Sequence, residues 1–395
     1  VSLFPDQQAA LDRATESHVF ILTGAPGTGK TYTIRQIIAA FPGKTIRLAA
    51  PTGKAARRMY ELTGTPAQTI HKLLEPEKTD DGFAFTRNES NPVNADIIII
   101  DETSMIDVRL AASLLRAVKP NTRVIFVGDS YQLPPVGPGN VLKDMIDAGL
   151  PSVELTTIKR QDAGLIVRNC HHVKNGEDIE IENANGSDFF FLGQVSESKI
   201  QKTILDLVAR RLPERYGFDP LRDIQIISPL REKTILSCKA LNTEAQARLN
   251  PAPVIEKSAF KSGDKIIQTK NDYKEGIING DIGYVTDIDM SEKAVSVEFD
   301  NPTRIVTLPL YANNLELAYA VTCHKYQGSE APAIILPIHP AFGSFLMQRN
   351  WLYTAISRAQ RLCVIVGHRD EVRKIIGRNQ QHKRFTNLGR FLKGE

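Results

Sequence analysis

Residues 18–41 read "HVFILTGAPGTGKTYTIRQIIAAF". An apolar run meets GAPGTGKT at 24–31, which fits G-x-x-x-x-G-K-[ST], and a helical pattern follows. Strand, glycine turn and helix in that order are the context a phosphate-cradling loop needs. Glycines let backbone N–H groups close around phosphates at a helix N-terminus. Gly24, Ala25, Pro26, Gly27, Thr28, Gly29, Lys30, Thr31 and Tyr32 are therefore the candidate nucleotide cradle. Lys30 would neutralise the β and γ phosphates, and Thr31 would hold Mg²⁺.

Outward from the loop, strand and helix patterns alternate. "TIRLAAPT", "ADIIIIDE" and "TRVIFVGD" are strand runs, while "GKAARRMYEL" and "MIDVRLAASLLRAVK" have helical texture. Continuous apolar strands alternating with helices predict a parallel sheet covered on both faces, with ligands at the strand ends. Asp101 ends one such strand and is a second candidate for Mg²⁺. Glu102 is placed to orient and deprotonate an attacking water. Gln132, in "VIFVGDSYQLPPV", suits sensing of a γ-phosphate or linking it to the second lobe. Arg160 in "LTTIKRQ" and Arg358 in "WLYTAISRAQR" are candidates to neutralise transition-state charge.

Two segments have a different texture. In "PEKTDDGFAFTRNESNPV", 76–93, Phe83 and Phe85 alternate around Ala84 beside Asp81-Gly82, a texture that reads either as a small hairpin projecting from the sheet or as a disordered surface loop. At 258–312, "DKIIQTK", "DIGYVTDID", "AVSVEFD" and "TRIVTLPL" predict a small antiparallel barrel. A second α/β unit surrounds it, with strands at "DIQIISPL" and "RLCVIVG" and a helix at "KTILSCKALNTEAQARL". The expected divisions are a first lobe at 1–75 and 94–155, interrupted by the hairpin, and a second lobe at 156–257 and 313–395, interrupted by the barrel.

Bulk properties bound the class. At 395 residues the chain exceeds one ordinary core, and its 42% hydrophobic and 24% charged content is that of a globular protein. No apolar run approaches 18 residues and no leader pattern opens the chain, so neither a membrane partner nor secretion is expected. The opening "VSLFPDQQAA" lacks methionine, as processing or truncation would leave it. Cys170, Cys238, Cys323 and Cys363 lie far apart with no C-x-x-C pair, which fits a reducing cytoplasm. "CHHV" at 170–173 places two adjacent histidines that cannot easily share one tetrahedral ion, so no metal is expected there. A net charge of +4 permits a polyanionic partner without requiring one.

Taken together the blocks resemble a superfamily 1 DNA helicase of the RecD-like group, which includes the phage Dda helicase. The resemblance runs in order along nearly the whole chain. "FPDQQAAL" places Gln7 where the family reads adenine, and "APTGKAARRM" and "TIHKLL" resemble its first-lobe DNA blocks. "IDETSM", "GDSYQLPPVG", "LTTIKRQ" and "TAISRAQ" follow, the last two placing Arg160 and Arg358 at the family's phosphate-contacting arginines. "TCHKYQGSE" at 322–330 resembles the block that links fuel to track, departing from the commonest pattern at Tyr326.

The resemblance implies an α/β fold: two RecA-like P-loop lobes with ATP between them, a β-hairpin pin in the first and an SH3-like barrel in the second. It implies movement on single-stranded DNA, 5′→3′, and action at single-strand/duplex junctions as a monomer in replication, recombination or repair. Gln327, Gly328 and Glu330 would face ATP, with Glu330 at the ribose or ordering its loop. Thr52, Lys54, His71, Asn271, Asn279, Thr322 and His324 would grip phosphates, and Phe83 or Phe85 would act as a wedge. Arg57 and Arg58 read equally well as a solvated helix face. An N-terminal extension that some relatives carry is expected to be missing ahead of Gln7.

Three rivals stand beside this reading. A small GTPase needs N-K-x-D, and "TKND" at 269–272 has the wrong order. A DNA-binding adaptor that uses ATP only as a ligand would not need Glu102 and two arginines. An RNA helicase of the same superfamily stays open, because no residue is assigned to a 2′-hydroxyl.

Overall fold

The computed structural model describes residues 3–79, 82–157, 164–272, 274–300, 303–311, 314–379, 384 and 386–394. The chain divides into two units, 1–163 with 381–395, and 164–380.

The first unit is built on six parallel strands in the spatial order Ala67–Thr69, Ile46–Ala50, Ile97–Ile100, Arg123–Gly128, Val19–Gly24, Ser152–Leu155. Side chains alternate between faces, and both faces are dry. Ile98, Ile100, Val124 and Phe126 enter one core, while Ile97, Ile99, Ile125 and Val127 enter the other. That two-sided burial is why the strands read as unbroken apolar runs. It also brings the ends of Val19–Gly24, Ile97–Ile100 and Arg123–Gly128 side by side, with Val19 opposite Val124 and Ile97 opposite Arg123.

The hairpin pairs Pro76–Thr79 with Gly82–Phe85, antiparallel, Pro76 opposite Phe85 and Thr79 opposite Gly82. Phe85 therefore stands at its base, half-buried, packed on the first core and 5.7 Å from the His71 ring.

In the second unit five parallel strands lie in the order Ala320–Thr322, Ile224–Ser228, Ala331–Ile338, Ala359–Gly367, Phe189–Gly193. A separate antiparallel sheet of five strands forms between them, ordered Arg304–Pro309, Ala294–Phe299, Ile282–Asp289, Lys265–Gln268, Leu315–Leu317. Its last strand lies beyond residue 312. The alternation in Ala294–Phe299 turns Val295, Val297 and Phe299 into the core of this sheet. Asp264, fully buried, joins the sheet to its surroundings by accepting hydrogen bonds from Lys261 N, Gln246 Nε2, Asn250 Nδ2 and Tyr319 Oη. The helix expected from Lys233 begins only at Cys238, because Ser228 Oγ donates to Leu236 O and Cys238 N to Leu230 O, folding 230–237 into a turn.

The tail corrects one expectation. Residues 381–395, assigned above to the second lobe, belong with the first unit. Arg384 Nη1 donates to Gly137 O at 2.6 Å and Gly139 O at 3.2 Å, and Thr386 Oγ1 donates to Asp144. Leu388, opening the helix Leu388–Lys393, packs on the first unit's core. Among the described residues no helix is long and apolar enough to cross a membrane.

Candidate functional site

The glycine loop leaves Val19–Gly24 and enters the helix Lys30–Ala39. Gly27 and Gly29 hold φ of 79° and 86°, a region that penalises any Cβ. Lys30 Nζ lies back over the loop, donating to Gly24 O at 2.5 Å and Ala25 O at 3.2 Å. Beside it Gln7 is buried, with Phe4 N donating to its Oε1 and its Nε2 3.4 Å from Thr28 O. A Cβ on Gly29 would lie 2.6 Å from Gln7 Nε2, so glycine is also what admits that amide.

Asp101 and Glu102 follow the strand Ile97–Ile100 directly. Glu102 takes φ 50°, ψ 40°, opening a short turn at Thr103–Met105, and its N–H donates to Asp101 Oδ1 at 2.8 Å. Asp101 keeps part of its surface open yet lies deep in the surrounding protein. Burial first, then the charge of Glu102, push its carboxyl up to about 6, against the charges of Lys30 and Arg58. The neighbouring strand makes room for this turn at Gly128, where a Cβ would lie 3.3 Å from the amides of Thr103 and Ser104.

Past Gly128, buried Asp129 accepts from Tyr131 N and, at 3.4 Å, from Gln132 Nε2. Gln132 Oε1 is buried with no partner among the described residues. A phosphate-rich, cation-bearing ligand fits what is present: glycine-shaped backbone, a lysine on neutral carbonyls, adjacent carboxylates and an unsatisfied amide oxygen.

The string at 322–330 folds tightly in the second unit. Tyr326 N donates to Thr322 O, Ser329 N to Tyr326 O, and Gly328 takes φ 70°. Tyr326, given no role above, is buried and donates its hydroxyl to Glu330 O at 3.0 Å. Glu330 accepts from Gln360 Nε2, Gln327 is buried, and His324 is exposed. Arg358, only 3% exposed, reaches Ser329 O at 3.4 Å, Thr354 O at 3.2 Å and Ser357 Oγ at 3.1 Å. All those partners are neutral oxygens. The string and Arg358 thus form one cluster.

The other candidates disperse. Thr52 caps the helix Gly53–Thr63, accepting from Ala55 N at 3.2 Å, with Lys54 half-buried in the helix's first turn. His71 is half-buried, and burial lowers its pKa while the charge of Asp107 opposes this. Asn279 N donates to Asn271 Oδ1, and the following Gly280 approaches Lys325 O. Arg160 and the side chain of Phe83 lie outside the described residues.

Three family models match in order: an AAA domain over 2–190, the SH3 domain of ATP-dependent RecD-like DNA helicases over 241–299, and a UvrD-like helicase C-terminal domain over 317–366. The RecBCD enzyme subunit RecD of Mycolicibacterium smegmatis is 30% identical over 443 residues, covering 99% of this chain and 75% of that protein. The chain belongs to the RecD-like helicase family. The ATP-dependent RecD2 DNA helicase of Deinococcus radiodurans is 35% identical over 368 residues, covering 91% of this chain but 48% of that protein, so the chain spans about half its length. A Pif1 helicase structure from a study of unwinding at forked duplex DNA shares the fold, with a TM-score of 0.57 and 21% identity over 92% of each chain.

Asp6, which the sequence reading did not single out, links two of these segments. Its carboxylate accepts from Gln7 N, Thr156 N and Thr157 N at 2.8–2.9 Å, tying Gln7 to the end of the strand Ser152–Leu155. In the sequence it reads only as an acid in a helix's first turn.

Proposed function

We propose that the chain hydrolyses ATP to move 5′→3′ on single-stranded DNA and unwind duplex ahead of it. The observation that carries this is the Asp101–Glu102 pair beside Lys30. Two adjacent carboxylates, one with its pKa raised by burial and its neighbour, are costly in a fold unless a cation is to be bound there.

Thr31 and Asp101 would hold Mg²⁺, which would neutralise phosphate oxygens; a site completed by phosphates and water needs no larger cluster of protein ligands. Lys30 exchanges the carbonyls of Gly24 and Ala25 for the β and γ phosphates. Gln7 presents its oriented amide to the adenine edge. Glu102 takes the proton of the attacking water, and Gln132 Oε1 accepts a hydrogen bond from that water. Arg358 and Arg160 are the arginines this reading assigns to transition-state charge, and Gln327, Gly328 and Glu330 order the loop that answers to nucleotide.

Grip on DNA comes from phosphate contacts that leave bases unread. The Thr52 hydroxyl accepts from its own helix and keeps its O–H to donate. Lys54 adds charge, while His71, kept neutral by burial, adds a hydrogen bond. Thr322, His324, Asn271 and Asn279 do the same in the second unit. The hairpin acts at the single-strand/duplex junction, where each base-pair step costs about 1.4 kcal/mol to unstack. Phe85 seats it, so a wedge falls to its tip or to Phe83. The four cysteines, all buried and in no disulfide, suit a reducing cytoplasm.

Strand displacement on matched duplexes with 5′ or 3′ single-stranded tails, and RNA counterparts, tests the reading. Unwinding is expected from the 5′ tail. A strict 3′ preference would overturn the polarity, preference for RNA the substrate, and ATPase without strand stimulation the motor.

A further inference from the structure

Within the second unit a cavity of about 360 Å³ opens where the antiparallel sheet meets the parallel one. It lies near the low end of the ~300–1,000 Å³ typical of ligand pockets. Apolar Phe260 and Leu317 and the hydroxyl-bearing Thr322 are among its lining residues. Three basic side chains, Arg231, Lys239 and Lys325, share its lining with two carboxylates, Glu232 and Glu316.

One carboxylate holds the arrangement together. Glu316 Oε1 accepts from Arg231 Nη2 at 2.9 Å, and its Oε2 accepts from Lys325 Nζ at 2.7 Å. Three separate segments converge here: Arg231 follows the strand Ile224–Ser228, Glu316 lies in Leu315–Leu317, and Lys325 is inside the 322–330 string. Arg231, Lys325 and Glu316 keep 68%, 31% and 37% of their side-chain surface exposed. Ion pairs so open to water contribute little net stability, so an incoming anion can replace the carboxylate at small cost. A phosphodiester is such an anion, and its binding by two cations gains from release of counterions.

We propose that this cavity takes one nucleotide of the single strand, its phosphate seated between Arg231 and Lys325 in place of the Glu316 carboxylate. Glu316 is then a built-in competitor that sets how tightly the strand is held and keeps the two cations gathered when the strand steps away. The inference rests on the DNA-binding reading above and adds to it a subsite and a residue that opposes binding.

Equilibrium binding of a fluorescent oligo(dT) to the 395-residue chain, over a salt series, tests it. Glu316→Gln keeps the shape and removes the competing charge; it is expected to tighten binding about 3- to 10-fold. Lys325→Ala is expected to weaken binding and to lower the slope of log K against log salt by about 0.7, the value for one lost single-strand phosphate contact. In the Lys325→Ala background the gain from Glu316→Gln should shrink, since one cation it frees is gone. If wild type binds oligo(dT) but Glu316→Gln leaves affinity unchanged or weaker, with an unaltered melting temperature, the subsite is wrong and the motor reading stands. If wild type binds no oligo(dT), both fall. Tightening by Glu316→Gln with an unchanged salt slope in Lys325→Ala would also overturn the phosphate seat.

Discussion

The two parallel sheets carry charge in opposite ways. At the strand ends of the first unit, Lys30 faces a carboxylate pair, and Asp101 answers its surroundings by a raised pKa. In the second unit Arg358 is buried among neutral oxygens and has no such escape, because a guanidinium stays protonated. A carboxyl can adjust to burial by taking a proton, whereas an arginine must wait for an anion. Each arrangement costs the fold something, and each makes sense if a phosphate-bearing ligand offsets that cost during turnover.

The sharpest way to break the comparison is Arg358→Met. If Arg358 neutralises a transferring phosphoryl group as proposed, turnover is expected to fall about 10³-fold. Melting temperature should hold or rise, since replacing a buried charge by an apolar side chain of similar volume is often neutral or stabilising. Arg358→Lys should not rescue, lacking the planar fork. A collapse of melting temperature alongside activity would make Arg358 a structural clamp for the 322–330 string instead.

Asp101→Asn probes the other half, by thermal melts at pH 4 and pH 7.5. A carboxyl raised from 3.8 to about 6 binds its proton more readily folded than unfolded. Stability should therefore fall as pH rises from about 4 to 6 and stay low above it. The asparagine variant escapes this and should be more stable at pH 7.5 by ~1–3 kcal/mol, the upper figure holding if solvent at the open side screens nothing. At pH 4 the advantage should vanish. An equal gain at both values would deny the titration any part.

How far these features can be read in the sequence depends on their range. The phosphate loop, the carboxylates at a strand end and both sheets are local patterns of burial and turn chemistry, so strings such as IIIIDE and GAPGTGKT display them. The return of 381–395 is invisible there, because Arg384 docks on the carbonyls of Gly137 and Gly139 and carries no side-chain signature. Phe83 and Phe85 look equivalent in "GFAF". Only the pairing of Phe85 with Pro76 at the hairpin base reveals that Phe85 is an anchor. Asp6 and Glu316 are likewise decided by partners far along the chain.

Phe85→Ala extends the contrast to the hairpin. Complete truncation of a buried phenylalanine costs about 3–5 kcal/mol, and this half-buried one should cost about 2. The loss should be local, loosening the seat against His71. Strand displacement is expected to fall several-fold while DNA-stimulated ATPase stays within about twofold. Equal loss of both would mean that the packing supports the catalytic sheet instead.

The smallest expected effect is the most exacting, because Asp6 is the inverse of Asp101 within the same unit. Burial alone would raise its pKa, yet the amides of Thr157 and Thr156, with Gln7, pull it below the ordinary value. Its stabilising contribution is therefore present above the usual carboxylate range and is lost as pH falls through the lower folded value. Asp6→Asn keeps one acceptor oxygen and substitutes an NH₂ that cannot accept from Thr156 and Thr157 N–H. The loss, on the order of 1 kcal/mol for a partly exposed group, should appear as a ~2- to 5-fold rise in KM for ATP, since Gln7 shares the carboxylate. Turnover at saturating ATP should fall less if Asp6 chiefly positions Gln7. Comparable losses in kcat would instead place the weight on the Thr156–Thr157 side, which leads toward Arg160. An unchanged KM and kcat at pH 7.5 would show that the strand Ser152–Leu155 holds those amides without the carboxylate.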